Sequence, residues 1–177
     1  RTPITIDDYI NSRMIADPIR LLDSVMVCDG ACGLIITSKK NAAKKSYKKA
    51  AFIKGYGERT SYQFSENIVD VTDTGHMPAG MKAFKQAGIS AKDVRSFQPY
   101  DDCIIAMMLQ MEMLGFCKKG QGCDFIHEHD FNYNGDLPLN TGGGQISAGP
   151  IGLAGGGTNL IEAVRQLFGE AGKRQIK

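Results

Sequence analysis

Eight of the chain's 21 glycines fall between Gly142 and Gly157, in Asn140-Thr141-Gly142-Gly143-Gly144-Gln145-Ile146-Ser147-Ala148-Gly149-Pro150-Ile151-Gly152-Leu153-Ala154-Gly155-Gly156-Gly157. An amphipathic helical pattern follows at once. Glycine at this density is costly in chain entropy, so it signals backbone that must take φ > 0 or lie close to a ligand or another backbone. A flexible linker would have no use for Ile146, Ile151 and Leu153. The loop is therefore expected to be packed, and function is sought there.

No familiar phosphate motif explains it. Gly144 to Gly149 has the first half of a P-loop spacing, but Pro150 stands where the lysine is required and Ile151 where the hydroxyl is required. There is no G-x-S-x-G elbow and no histidine in the loop. Nucleotide hydrolysis and serine-hydrolase chemistry are set aside.

The 177 residues suit one domain or two small ones, and 42% hydrophobic residues suffice for a core. A net charge of +2 gives no general argument for nucleic acid or membrane, and no apolar run reaches spanning length. The expected compartment is cytoplasmic. Six lysines crowd Lys39-Lys40-Asn41-Ala42-Ala43-Lys44-Lys45-Ser46-Tyr47-Lys48-Lys49, read as a solvated linker. The odd set Cys28, Cys32, Cys103, Cys117 and Cys123 lacks the paired spacing of a disulfide framework and is read as reduced. Cys117, Cys123, His127 and His129 have the residue types of a zinc site, but the two cysteines lie too far apart for a tight C-x-x-C turn. No metal is expected.

Along the chain, residues 8–26 carry an irregular apolar pattern broken by Pro18, suggesting a surface loop and then a short helix or strand. Val25–Cys28 and Leu34–Thr37 read as strands about an Asp29-Gly30 turn, and Ala51–Gly57 and Val94–Gln98 as further strands. Pro78, Met81, Phe84, Ala87 and the stop Gly88 predict one helix. Asp101 or Asp102 can cap a second, from Ile104 to Leu114, and Thr158 or Asn159 a third, from Leu160 to a stop at Gly169. Strands alternating with helices predict an α/β fold. Ligands of such folds collect where strands end and helix N-termini present free N–H groups. That points to Gln98-Pro99-Tyr100-Asp101-Asp102-Cys103 and to Asn140–Gly157. Tyr100 there can donate to a carbonyl oxygen or exchange a proton, or can simply be a structural tyrosine beside capping aspartates.

The residues Asn11-Ser12-Arg13-Met14-Ile15-Ala16-Asp17-Pro18-Ile19-Arg20-Leu21-Leu22-Asp23, Cys28-Asp29-Gly30-Ala31, Met113-Leu114-Gly115-Phe116-Cys117-Lys118-Lys119-Gly120, Asn140 to Gly149, and Glu162-Ala163-Val164-Arg165-Gln166-Leu167 resemble thiolases, in the same order. The sterol-carrier or lipid-transfer type is the most similar group. A thiolase of this kind has two similar α/β halves. The resemblance implies that residues 1–38 are the tail of the amino-terminal half, 39–49 the linker, and 50–177 most of the carboxyl-terminal half without its last strands. An opening Arg rather than Met fits a fragment, a cleaved product or a partial chain.

The resemblance further implies an acyl-CoA acyltransferase that cleaves a 3-ketoacyl-CoA with CoA, or condenses acyl-CoAs, with the acylated cysteine in the other half. Acyl-CoA and CoA would be substrates, with no tightly bound cofactor. Catalytic candidates are Tyr100, Asp101 and Asn140, with Asp101 orienting the tyrosine or capping its helix; Gly143, Gly144, Ser147 and Gly149 are candidates for binding substrate or CoA. Many relatives have His-Asp at Tyr100-Asp101, and many thiolases have a catalytic histidine where Pro150 stands. Two alternatives follow: a thiolase-like aldolase performing retro-aldol cleavage of a 3-hydroxyacyl-CoA, whose subgroup Tyr100-Asp101 matches, or a non-catalytic subunit binding acyl-CoA or a partner. Implied partners are the amino-terminal half, on the same or a separate chain, a second copy in a homodimer, and a small OB-fold zinc-ribbon protein.

Overall fold

The computed structural model describes residues 3–45, 47–60 and 70–177, apart from the side chain of Leu153. Helix α1 (Ile6–Ile10) opens on a reciprocal cap: the Asp8 N–H donates to Thr5 Oγ1 at 3.1 Å, and the Thr5 N–H donates to Asp8 Oδ2 at 2.7 Å. Strands β1 (Met14–Ala16) and β2 (Ile19–Arg20) then pair antiparallel around a cis Asp17-Pro18 bond, with Met14 opposite Arg20. The Tyr9 hydroxyl ties α1 to the turn that follows, donating to Asp23 at 2.9 Å. The loop expected over residues 8–26 is thus a helix end, a hairpin and a turn.

Among the described residues this hairpin is the only ladder. The strands predicted at Val25–Cys28, Leu34–Thr37, Ala51–Gly57 and Val94–Gln98 do not form; isolated bridges stand at Ser24–Cys103 and Phe97–Leu139. The reason is that a strand exists only with a partner for its N–H and C=O groups. Apolar alternation shows that a segment has a face to bury, and here Val27 at 81% exposure and Ile35 at 85% have nothing over them.

The lysine-rich segment also differs from expectation. Residues Lys39–Lys44 form helix α2, because Ser38 Oγ accepts the Asn41 N–H at 3.2 Å and satisfies one of its first free donors. Helix α3 (His76–Ala87) follows, with Pro78 in its first turn and Gly88 closing it at φ 70°. Residues 55–57 lie along α3, with the Tyr56 N–H donating to Gln86 Oε1 at 2.9 Å. A Cβ on Gly55 or Gly57 would collide with the carbonyls of Ala83 and Ala79. That stretch is backbone packed on a helix.

Helix α4 (Ile104–Met113) buries Met111 completely, a methionine filling core as its flexible side chain allows. Its N-cap is Cys103, without a side-chain hydrogen bond, so neither Asp101 nor Asp102 caps it as predicted. Helix α5 (Gly122–Glu128) is anchored to α4 by the Gly122 N–H, which donates to Glu112 Oε1 at 2.9 Å. Phe97, Phe116 and Phe125 stack beside these helices, with centroids 4.7 and 6.5 Å apart. The glycine loop holds the short helix α6 (Gly144–Ala148) and leads directly into α7 (Gly155–Phe168), which Gly169 ends at φ 68°. Helix α7 therefore begins before Thr158 and Asn159, which lie inside it rather than capping it.

Candidate functional site

The two junctions singled out by sequence meet in space. Phe97 and Leu139 form a parallel bridge, in which the Phe97 N–H donates to Pro138 O at 2.9 Å and the Asn140 N–H donates to Phe97 O at 3.0 Å. Both segments leave that bridge in the same direction. Residues 98–101 and 140–144 consequently run side by side into the base of α6 and α7.

Asp101 sits at the centre of this junction with 4% of its surface exposed. Its Oδ1 accepts the Gln145 N–H at 2.9 Å and the Asn159 side-chain amide at 3.3 Å, and its Oδ2 accepts the Ile146 N–H at 3.4 Å. Asp101 thus satisfies two of the free donors of α6. It neither caps the helix that follows it nor hydrogen-bonds the Tyr100 hydroxyl. Gly144, at φ 57°, lies so close that a Cβ would collide with the Asp101 carboxylate. Asn140 adopts φ 40°, the left-handed region that asparagine tolerates better than most residues. Its side-chain oxygen accepts from Asn159 Nδ2 at 3.2 Å, and Asn159 Nδ2 also reaches the Pro99 carbonyl.

Tyr100 is held by its backbone. Gln110 of α4 clamps it twice, accepting the Tyr100 N–H at 3.1 Å and donating to the Tyr100 carbonyl at 2.6 Å. The ring lies against Gly156, where a Cβ would come within 3.5 Å of it. The residue stays 43% exposed. Desolvation raises the phenol above its ordinary 10.0, and the Asp102 and Asp101 carboxylates raise it further. At neutral pH the hydroxyl is therefore protonated and able to donate.

Two cavities flank α7. One, of about 260 Å³, is lined by Gln98, Tyr100, Gly156, Asn159, Leu160 and Ala163. The other, of about 360 Å³, is lined by Cys28, Cys32, Gly149, Thr158, Glu162 and Arg165 among others. Residues 156, 160 and 163 share one helical face, and 158, 162 and 165 share the opposite one. Of the predicted site residues, Asp101, Asn140 and Gly144 are thus packed together, Tyr100 opens on one cavity, and Gly149 opens on the other. Ser147 is exposed, and Gly143 caps α6 at φ 97°.

Sequence reasoning missed Gln110, Gln145, Asn159 and Glu162. Gln110 and Gln145 are polar residues set among apolar neighbours, a signal that was available; Gln145 is fully buried. Four buried side-chain atoms here have no hydrogen-bond partner among the described residues: Asn140 Nδ2, both amide atoms of Gln145, and Asn159 Oδ1. Among the described residues no group of three His, Cys, Asp or Glu is placed to hold a metal ion. His129 of the sequence-level zinc set pairs with Asp136, and burial together with Glu112 raises the Cys117 thiol. No helix among the described residues is long and apolar enough to cross a membrane.

Comparison with known proteins gives this junction a context. A family model, Thiolase C-terminal domain-like, matches residues 57–177. A 17-hydroxy-3-oxo-4-pregnene-20-carboxyl-CoA lyase from Mycobacterium tuberculosis is 33% identical over 94% of the chain and 44% of its own length. An acetyl-CoA acetyltransferase from Methanothermobacter thermautotrophicus is 32% identical over 98% of the chain and 45% of its own length. Among solved structures, one described as Ltp2-ChsH2(DUF35) aldolase superposes with a TM-score of 0.79 at 30% identity, covering 96% of this chain and 44% of that one. The chain spans about half the length of the curated relatives it matches. The fold is that of an α/β thiolase-type domain, and the chain belongs to the thiolase C-terminal domain-like family.

Proposed function

We propose that the chain is the carboxyl-terminal half of a thiolase-fold lyase that cleaves a 3-hydroxyacyl-CoA by a retro-aldol reaction. This reverses the order given by the sequence resemblance, which put thiolysis or condensation first. Tyr100 carries the reading: it is a protonated, partly exposed phenol, fixed by Gln110 on the lip of a cavity, at the position where the family resemblance implies histidine in many relatives. In support, relatives with matching sequence are named a lyase and a steroid side-chain-cleaving aldolase, the latter from Thermomonospora curvata at 34% identity.

The chemistry fits such a donor. In the retro-aldol step a base takes the 3-hydroxyl proton, the C2–C3 bond breaks, and C3 leaves as a carbonyl product. The bond's electron pair passes into the thioester as an enolate, which then takes a proton at C2. A donor placed on the thioester oxygen stabilises that charge as it develops, and we assign this role to the Tyr100 hydroxyl. Asp101, Asn140 and Gly144 hold the loop against it. The thioester survives the reaction, so no acylated cysteine is required.

The acetyl-CoA acetyltransferase relative keeps thiolysis as the second reading. The solved aldolase's description pairs two components, which supports a second subunit here as well. The test is an assay of the complete enzyme on a 3-hydroxyacyl-CoA without free CoA. Release of a carbonyl product and a shortened acyl-CoA is expected. Cleavage confined to a 3-ketoacyl-CoA, and dependent on added CoA, would overturn the proposal in favour of thiolysis. Activity on neither, in the full assembly, would leave a binding subunit.

A further inference from the structure

We infer that Glu162 is a positioning residue for the glycine loop, acting through the Thr141 hydroxyl, with Arg174 of the carboxyl-terminal turn completing the brace. Glu162 lies on α7, 5% exposed, and nothing in the retro-aldol step uses it. Its Oε1 accepts from Thr141 Oγ1 at 2.8 Å and from Gln166 Nε2 at 3.0 Å, while its Oε2 accepts from Arg174 at 3.1 Å. Thr141 is the hub of the network. Besides donating to Glu162, it accepts from Gln166 Nε2 at 3.0 Å and from Gln98 Nε2 at 3.3 Å.

What this brace holds is specific. Thr141 directly follows Asn140, whose left-handed backbone turns the chain into the loop. Gly142 comes next, so close that a Cβ would lie 3.0 Å from Glu162 Oε2. Gln98, on the other arm, stands in the segment leading to Tyr100 and lines the same cavity. One carboxylate therefore fixes the entry of the loop, the segment that presents Tyr100 and the end of the chain relative to each other. The carboxyl group is spent on holding, and a charged acceptor of this kind is stronger than a neutral one.

The functional part of the inference rests on the lyase reading; the structural part does not, and the experiment separates them. In the complete enzyme, Thr141→Val removes the loop end of the brace, and Glu162→Gln keeps an acceptor for Thr141 and Gln166 but loses the Arg174 contact. Each is expected to lower kcat on a 3-hydroxyacyl-CoA about tenfold or more while KM changes little, as misplacement of a reacting group does. The double variant should be little worse than the worse single one, because both act on one network. Thr141→Ser should restore turnover. Amide exchange at residues 141–149 should quicken in both single variants. Folded variants with wild-type exchange there would overturn the brace even if the enzyme proved to have another activity. Quickened exchange with unchanged turnover would overturn its role in catalysis.

Discussion

The Gln145 backbone N–H donates to Asp101 at 2.9 Å, joining two residues 44 positions apart in the chain. The acceptor for N–H groups at the start of α6 therefore comes from the other junction, and the same carboxylate that anchors the glycine loop sits next in sequence to the proposed donor Tyr100. Loop and tyrosine are thus tied to one residue, the loop by hydrogen bonds and the tyrosine by chain adjacency.

Asp101→Ala should weaken the fold by about 1–3 kcal/mol, since it strips the acceptor from buried N–H groups of Gln145 and Ile146. Asp101→Asn, which keeps one acceptor oxygen, should cost less. Urea unfolding of the complete protein measures both, and equal stability of all three forms would refute the capping role.

Tyr100→Phe should lower turnover of the 3-hydroxyacyl-CoA by about a hundredfold, with KM changed far less, because it removes a donor used as charge develops. The sign of the pH dependence follows from the raised phenol. A donor stays protonated up to its own raised value, so activity through Tyr100 should persist across neutral pH and fall only above about pH 10. A pH–rate profile in which Tyr100→Phe retained that alkaline fall would assign it to another group.

Gly144→Ala should destabilise the protein more than Gly152→Ala. Both positions have positive φ, which costs an L-residue on the order of 1–2 kcal/mol. At Gly144 the new Cβ also meets the Asp101 carboxylate, whereas at Gly152 nothing lies within 4 Å. Thermal melts of the two variants give the comparison directly, and a larger loss at Gly152 would contradict the packing described here.

Glu162 should make stability fall in acid. Burial alone would raise its carboxyl group, but hydrogen bonds from Thr141, Arg174 and Gln166 more than offset that and hold it below its ordinary 4.5. A group depressed in the folded state contributes stability above its unfolded value, and that contribution is lost as pH falls through the folded one. The urea midpoint should therefore drop below about pH 4.5, and Glu162→Gln should flatten that limb. An identical acid limb in the variant would show that other carboxylates carry it.

Sequence by itself determined the helices that end in glycine and the two places worth searching. The runs before Gly88 and Gly169 were legible because a 3.6-residue apolar period and a left-handed stop are local properties. The glycine loop was legible for a similar reason: backbone that needs positive φ, as at Gly143, Gly144 and Gly149, writes its requirement into residue type. The order of motifs also pointed to the family that comparison confirms.

Tertiary structure decided the rest. Asp101 reads as a cap for the helix beside it, yet its carboxylate serves a helix far along the chain, and Asn159 reads as a cap yet lies inside α7. Predicted strands such as Val25–Cys28 form no ladder, because apolar alternation specifies a face and only a partner supplies the hydrogen bonds. Glu162 carried no local signal of its role, and Gln110, though conspicuous as a polar residue among apolar neighbours, did not name its partner. A side chain's hydrogen-bond partner is set by which segments meet, and that meeting is a property of the folded chain rather than of any stretch of its sequence.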